Sequence, residues 1–157
     1  MRHEEFPDQT CSIARALEIV GERWTLLVVR EAFFGTRRFG DFEAALGIAK
    51  NVLSDRLAKL VARGVLGRTS VVGRGNPGDY HLTAKGKDLF PIIIALMQWG
   101  DRWGDGEPPL RVVARASGDE IAPMRVTSQE GAALALREVV ILPGPGADEA
   151  MRRRFGA

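Results

Sequence analysis

A chain of 157 residues is long enough for one domain with a real core, or for a domain of about 100 residues with an appendage. No stretch approaches the ~18 consecutive apolar residues of a membrane span, and Met1-Arg2-His3-Glu4-Glu5-Phe6-Pro7 has no apolar signal core, so a cytoplasmic protein is expected. Cys11 is the sole cysteine, which excludes an internal disulfide, and two histidines beside it make no recognisable metal set. The net charge is only +2, yet residues 35–87 hold ten Lys/Arg against four acids, a local +6 that leaves −4 for the rest. A basic stripe confined to one stretch suits phosphate contact, since each neutralised phosphate releases counterions.

In chain order, Cys11-Ser12 opens a first helix with Ile13, Ala16, Leu17 and Val20 at the i, i+3, i+4, i+7 spacing of an amphipathic face, ended by Gly21. Residues 24–34 form a second helix, apolar nearly all round and therefore expected as the central buried element, with Trp24 in the core and Gly35 as the stop. A short helix over residues 38–45, a turn and an amphipathic helix over residues 50–63 follow. Two extended runs, residues 66–72 and Asp79–Leu82, flank the tip Gly73-Arg74-Gly75-Asn76-Pro77-Gly78. Helix, turn, helix and basic hairpin in that order spell a winged helix-turn-helix, whose second helix enters the major groove of duplex DNA.

Within residues 50–63, Leu53, Leu57, Leu60 and Val61 line one face. Counting 100° per residue puts Asn51, Ser54, Asp55, Ala58 and Lys59 opposite, with Lys50 and Arg56 flanking them. Asn pairs with adenine edges, Ser with several bases, and Lys with guanine or phosphate, so this face can both position and read. Ala49 supplies no side-chain cap at the helix start. Arg38 at the start of the short helix is a further DNA-binding candidate, Arg68 and Arg74 in the hairpin are placed to reach phosphate, and His81 is read as structural.

Thr83 caps a long helix over residues 84–103 that is apolar over well more than ~100° of arc. The surplus needs a partner, and homodimerisation supplies one while giving two half-sites related by a two-fold axis. Ile13 and Leu17 of the first helix, with Leu89, Ile93, Leu96, Met97, Trp99 and Trp103, are the expected dimer residues. A hydrophobic effector pocket near Trp99 and Trp103 is the alternative use of that surface. Pro108-Pro109 then marks a joint; residues 110–116 and 121–126 read as a hairpin, residues 139–142 as a third strand, and 147–157 as a loose or briefly helical tail. The domains are thus residues 9–104, a small β-rich module at 108–146 and the tail, giving an α+β, mainly α, fold class.

The run from Cys11 to Leu27, CSIARALEIVGERWTLL, resembles the opening of HxlR-type transcriptional regulators, relatives of the MarR winged helices. So do Arg37-Arg38-Phe39-Gly40-Asp41-Phe42, Leu53-Ser54-Asp55-Arg56-Leu57, Gly64-Val65-Leu66, Tyr80-His81-Leu82-Thr83-Ala84-Lys85-Gly86 and Trp99-Gly100, covering residues 9–104. The resemblance implies a homodimer on a pseudo-palindromic operator, with dimer contacts from the first and the long last helix. The segment after Gly104 looks like the C-terminal extension of a subset of that family, which often bears a cysteine pair resembling a zinc ribbon. Thr127 and Glu130 stand at the matching positions, so no metal and no cofactor are carried over.

Cys11 lies near a helix start, where the macrodipole favours thiolate, with Arg15 one turn on. Some members of the family sense oxidants or electrophiles through a cysteine near this point, so Cys11 is read either as a redox sensor or as ordinary packing. No paired acid and base, nucleophile and base, or phosphate cradle marks an enzyme; the glycine-rich tip joins two strands and opens no helix. The expected function is a transcriptional regulator, a repressor released by a signal; the alternative is a winged-helix module that binds protein without DNA.

Overall fold

The computed structural model describes residues 10–69 and 78–156. The chain divides into two compact units, which part between Phe90 and Pro91.

The first unit opens with α1, Ser12–Val20, and α2, Thr25–Phe33. On α1 only Ala14 is buried, and the expected apolar face is turned outward, with Ile13 71% and Leu17 41% exposed. α2 buries Thr25, Val28, Val29, Glu31 and Ala32, but Leu27 and the following Phe34 lie exposed, so it is not buried all round. Trp24 is half-buried and holds φ 75°, a left-handed conformation that is costly for a residue with a bulky side chain.

α3, Phe39–Leu46, and α4, Lys50–Ala62, are joined by Gly47-Ile48-Ala49. Gly47 takes φ 59°, a left-handed conformation that residues with a side chain rarely adopt, and Ile48 plugs the corner at 5% exposure. Leu53, Leu57 and Leu60 recur at helical spacing and are buried against α2, α3 and β1 (Leu66–Thr69). Each contributes roughly 1.5–3 kcal/mol gross by leaving water. β1 pairs antiparallel with β2, Asp79–Leu82, in the register Leu66 to Leu82 and Arg68 to Tyr80. Expected strand residues 70–72 and the hairpin tip lie outside the described residues. Tyr80 N–H donates to Arg37 O at 2.8 Å and its ring meets Phe42 edge-on at 6.2 Å, tying the hairpin to the helices.

The single helix expected over residues 84–103 is two. α5, Ala84–Lys87, ends before α6, Phe90–Trp103. Pro91 has no N–H to give and its ring would collide with the carbonyl four residues back, so a continuous helix cannot pass; near the start of a new helix the same ring is tolerated. Gly86 is needed for close approach, because a β-carbon there would run into Val65 O.

In the second unit α6 buries Ile93 and Ile94. The β-rich module is corrected: among the described residues its pairing amounts to two isolated bridges, Val113 to Glu120 and Thr127 to Ala133. Residues 139–142 form no strand and their side chains are exposed, so no buried face rewards a ladder there. Instead the Gln98 side chain holds the segment from both sides, donating to Ala122 O and accepting from Met124 N–H at 2.7 Å. The tail contains α7, Glu149–Phe155, capped by Asp148, whose carboxylate accepts from Met151 N–H. No helix among the described residues is long and apolar enough to cross a membrane.

Phe42→Ala should cost about 3–5 kcal/mol of stability, since it opens a cavity under a fully buried ring and removes the Tyr80 contact. Urea unfolding of the variant against the parent measures it; a cost below about 1 kcal/mol would mean the core closes without this ring.

Candidate nucleic-acid interface

The burial of Leu53, Leu57 and Leu60 leaves the other side of α4 in water: Asn51, Ser54, Asp55, Ala58 and Lys59 are all exposed. This is the face expected from the wheel. Lys50 at the helix start is 76% exposed and 3.9 Å from Glu43 of α3. Arg38 is 70% exposed and 3.8 Å from Asp79 of β2. Such loose surface pairs contribute little, so either cation can turn to a phosphate at small cost. Arg68 is exposed and lies over the Tyr80 ring at 5.4 Å, while Arg74 falls outside the described residues.

Arg56 departs from expectation. It does not flank the exposed face but is folded back, its side chain only 13% exposed, onto Glu22 from the turn between α1 and α2. It also meets Asp55 at 2.9 Å, and Lys59 reaches Glu22 at 2.8 Å and Asp55 at 3.2 Å. Burial depresses the Arg56 pKa below the usual guanidinium value. The far end of α4 is held too: Lys85 Nζ donates to Arg63 O at 2.8 Å, and Thr83 Oγ1 to Gly64 O at 2.6 Å. Arg37 is likewise engaged with its own chain, donating to Ala32 O and Thr36 O. The formal +6 therefore overstates what is free for phosphate, because Arg56 is paired with Glu22 and the half-buried Arg37 is engaged with backbone carbonyls.

Sequence reasoning missed Glu22, Glu43, Asp79 and Lys85 as partners. Lys85 follows the Thr83 cap and was legible as a nearby cation, but Glu22 lies 37 residues from Lys59 and nothing local marks it. His81 is exposed opposite Gly67, as suits a residue of the hairpin surface.

Among the expected dimer residues, Leu96, Trp99 and Trp103 are exposed, at 47%, 66% and 67%. Leu89 and Met97 are half-buried, and Ile93 is buried within its own chain, so it is withdrawn from that set. A cleft of about 160 Å³ in the second unit is lined by Met97, Gln98, Asp101, Leu110 and Ile121 among others. It does not include Trp99 or Trp103 and is smaller than the ~300 Å³ at which ligand sites usually begin.

The HxlR-like helix-turn-helix family model matches residues 19–108. An uncharacterized HTH-type transcriptional regulator of Mycobacterium tuberculosis is 44% identical over 138 residues, covering 86% of this chain and 87% of that one. PA1607, described as a candidate transcription factor, superposes with a TM-score of 0.79 at 38% identity, over 85% of this chain and 95% of its own. PA1374 of Pseudomonas aeruginosa, described in the same way, gives 0.64 at 37% identity, over 92% and 99%.

Cys11 occupies the position before α1 and is half-buried. The backbone N–H groups of Ala14 and then Ile13 point at its sulfur and hold the thiol below the usual value, with a smaller push from Arg15, whose guanidinium donates to Ser12 Oγ. Alkylation by iodoacetamide should therefore reach half its maximal rate at a lower pH than in an unstructured cysteine peptide, and Arg15→Ala should leave most of that shift. A profile matching the peptide would remove the thiolate from consideration.

Proposed function

The chain belongs to the HxlR-like helix-turn-helix family and is a transcriptional regulator with a helix-turn-helix DNA-binding domain, and we propose that it works as a homodimeric repressor on an inverted-repeat operator. The observation that carries this reading is the division of α4 into a fully buried leucine face and an exposed face of Asn51, Ser54 and Lys50. Held in a groove, that face supplies base-edge donors and acceptors, while Arg38 and Arg68, with Arg74 of the wing tip, meet phosphate. Asp55 and Lys59 stand at the edge of the same face and complete the contact set.

A second copy of the chain accounts for the exposed apolar side chains of α1, Ile13 and Leu17, and of α6, Leu96, Trp99 and Trp103. Two recognition helices related by a two-fold axis then require half-sites about one helical turn apart. Release by a small-molecule signal completes the proposal.

Genomic DNA passed over the protein at low salt should yield fragments sharing an inverted repeat, bound with a Kd on the order of 10⁻⁸ M or tighter and weakening steeply with salt. Retention of no fragment, or indifference to salt, would overturn the reading. Asn51→Ala or Ser54→Ala should lower discrimination at particular bases by about 1–3 kcal/mol, whereas Arg38→Ala should weaken all sequences alike and reduce the salt slope by about one.

Leu96→Asp or Trp99→Asp puts an uncompensated charge into the apolar face of α6. At least one should convert the dimer to monomer in sedimentation at micromolar concentration and abolish operator binding with it. A dimer that withstands both is held elsewhere.

A further inference from the structure

The turn between α1 and α2 does more than reverse the chain. Its Glu22 carbonyl accepts from Thr25 N–H at 3.1 Å, so the backbone of Glu22 starts α2, while the left-handed Trp24 carbonyl accepts from Val28 N–H. The Glu22 carboxylate reaches across to α4, where it pairs with both Arg56 and Lys59. Glu22 and Arg56 are 16% and 13% exposed, whereas Lys59 and Asp55 at the outer edge are each 48% exposed. The shielded half of this cluster is thus the contact between the turn and the middle of α4. Leucine packing fixes which face of a helix is inward but tolerates small rotations and slides, because dispersion is non-directional; a shielded guanidinium–carboxylate pair does not.

We infer that Glu22 and Arg56 form a positioning clamp that sets the orientation of α4 for base reading, so that Arg56 acts on DNA through the placement of the helix and makes no phosphate contact itself. The inference rests on the DNA-binding reading above and adds to it a residue outside the helix-turn-helix, Glu22. It reverses the sign that charge alone would give. Removing an acid beside a DNA-binding surface ordinarily tightens binding. Here it frees α4 to shift and weakens the specific complex. Arg56→Lys keeps the charge but not the planar guanidinium whose two terminal nitrogens reach Glu22 and Asp55 at once, and it belongs to the same class of lesion.

The test compares Glu22→Ala, Arg56→Lys, Arg56→Ala and the double Glu22→Ala/Arg56→Ala. Each is measured on the operator fragment recovered from genomic selection and on a random-sequence duplex, at a temperature where circular dichroism shows the variant folded. The expected result is at least a tenfold loss on the operator for each single variant, little change on random DNA, and an unaltered salt slope. The double variant should lose less than the sum of the two singles, since the Glu22–Arg56 contact is common to both lesions while Glu22–Lys59 and Arg56–Asp55 are each broken by only one. A slope reduced by about one in Arg56→Ala would make Arg56 a phosphate contact and overturn the clamp. So would tighter operator binding by Glu22→Ala, equal losses on both DNAs, or a double variant that is unfolded at every temperature, which would mark the pair as general support. If the parent protein itself retains no operator, the DNA-binding reading has failed. The clamp is then read by amide exchange, which Glu22→Ala should speed in α4 while leaving α6 unchanged; equal exchange in α4 would overturn it.

Discussion

Three leucines decide the geometry of the first unit. Leu53, Leu57 and Leu60 can leave water only if α4 lays that side against α2, α3 and β1, and once it does so the opposite side has no choice but to face solvent. Everything that touches DNA in the proposed function follows from this: the exposure of Asn51 and Ser54, the location of Lys50 at the near end, and the placing of the hairpin beside the helix. Phe42 and Tyr80 extend the same core to the wing, so reading helix and wing share one apolar foundation.

Charge plays two roles in this unit, and they compete. Cations that hold the fold are less available to phosphate: Arg37 is engaged with backbone carbonyls and Arg56 with Glu22. Beside the recognition helix, Lys50, Arg56 and Lys59 are matched by Glu43, Asp55 and Glu22, which leaves that helix close to neutral. In the proposed function a helix whose cations are largely matched would favour discrimination over indiscriminate sticking, since unspecific affinity scales with the number of phosphates neutralised.

Apolar surface is distributed just as unevenly. α1 and α6 each turn large apolar side chains outward, Ile13 and Leu17 on the one and Leu96, Trp99 and Trp103 on the other, and the proposed second copy of the chain would cover them. Past α6 the chain has few ladder hydrogen bonds and many exposed aliphatic side chains, Leu136 and Val140 among them. Its order depends on local devices: Gln98 gripping residues 122 and 124, and Asp148 capping α7.

Periodicity and the glycine after α4, Gly64, were enough to read α3, the turn, α4 and the described part of the hairpin, because each is specified locally within a dozen residues. The exposed face of α4 was legible for the same reason: a helix with one apolar side has only one other. The break before α6 was written in Pro91, though the apolar run through residues 89–99 concealed it. What required the tertiary structure were the outcomes set by distant partners. Arg56 looks like a groove residue until Glu22 meets it, Ile93 looks like an interface residue until it is buried in its own chain, and the apolar face of α1 turns outward although its spacing is that of a core helix. Local sequence determines which faces a helix has; which neighbour each face meets depends on contacts between residues far apart in the chain, where no local pattern records the pairing.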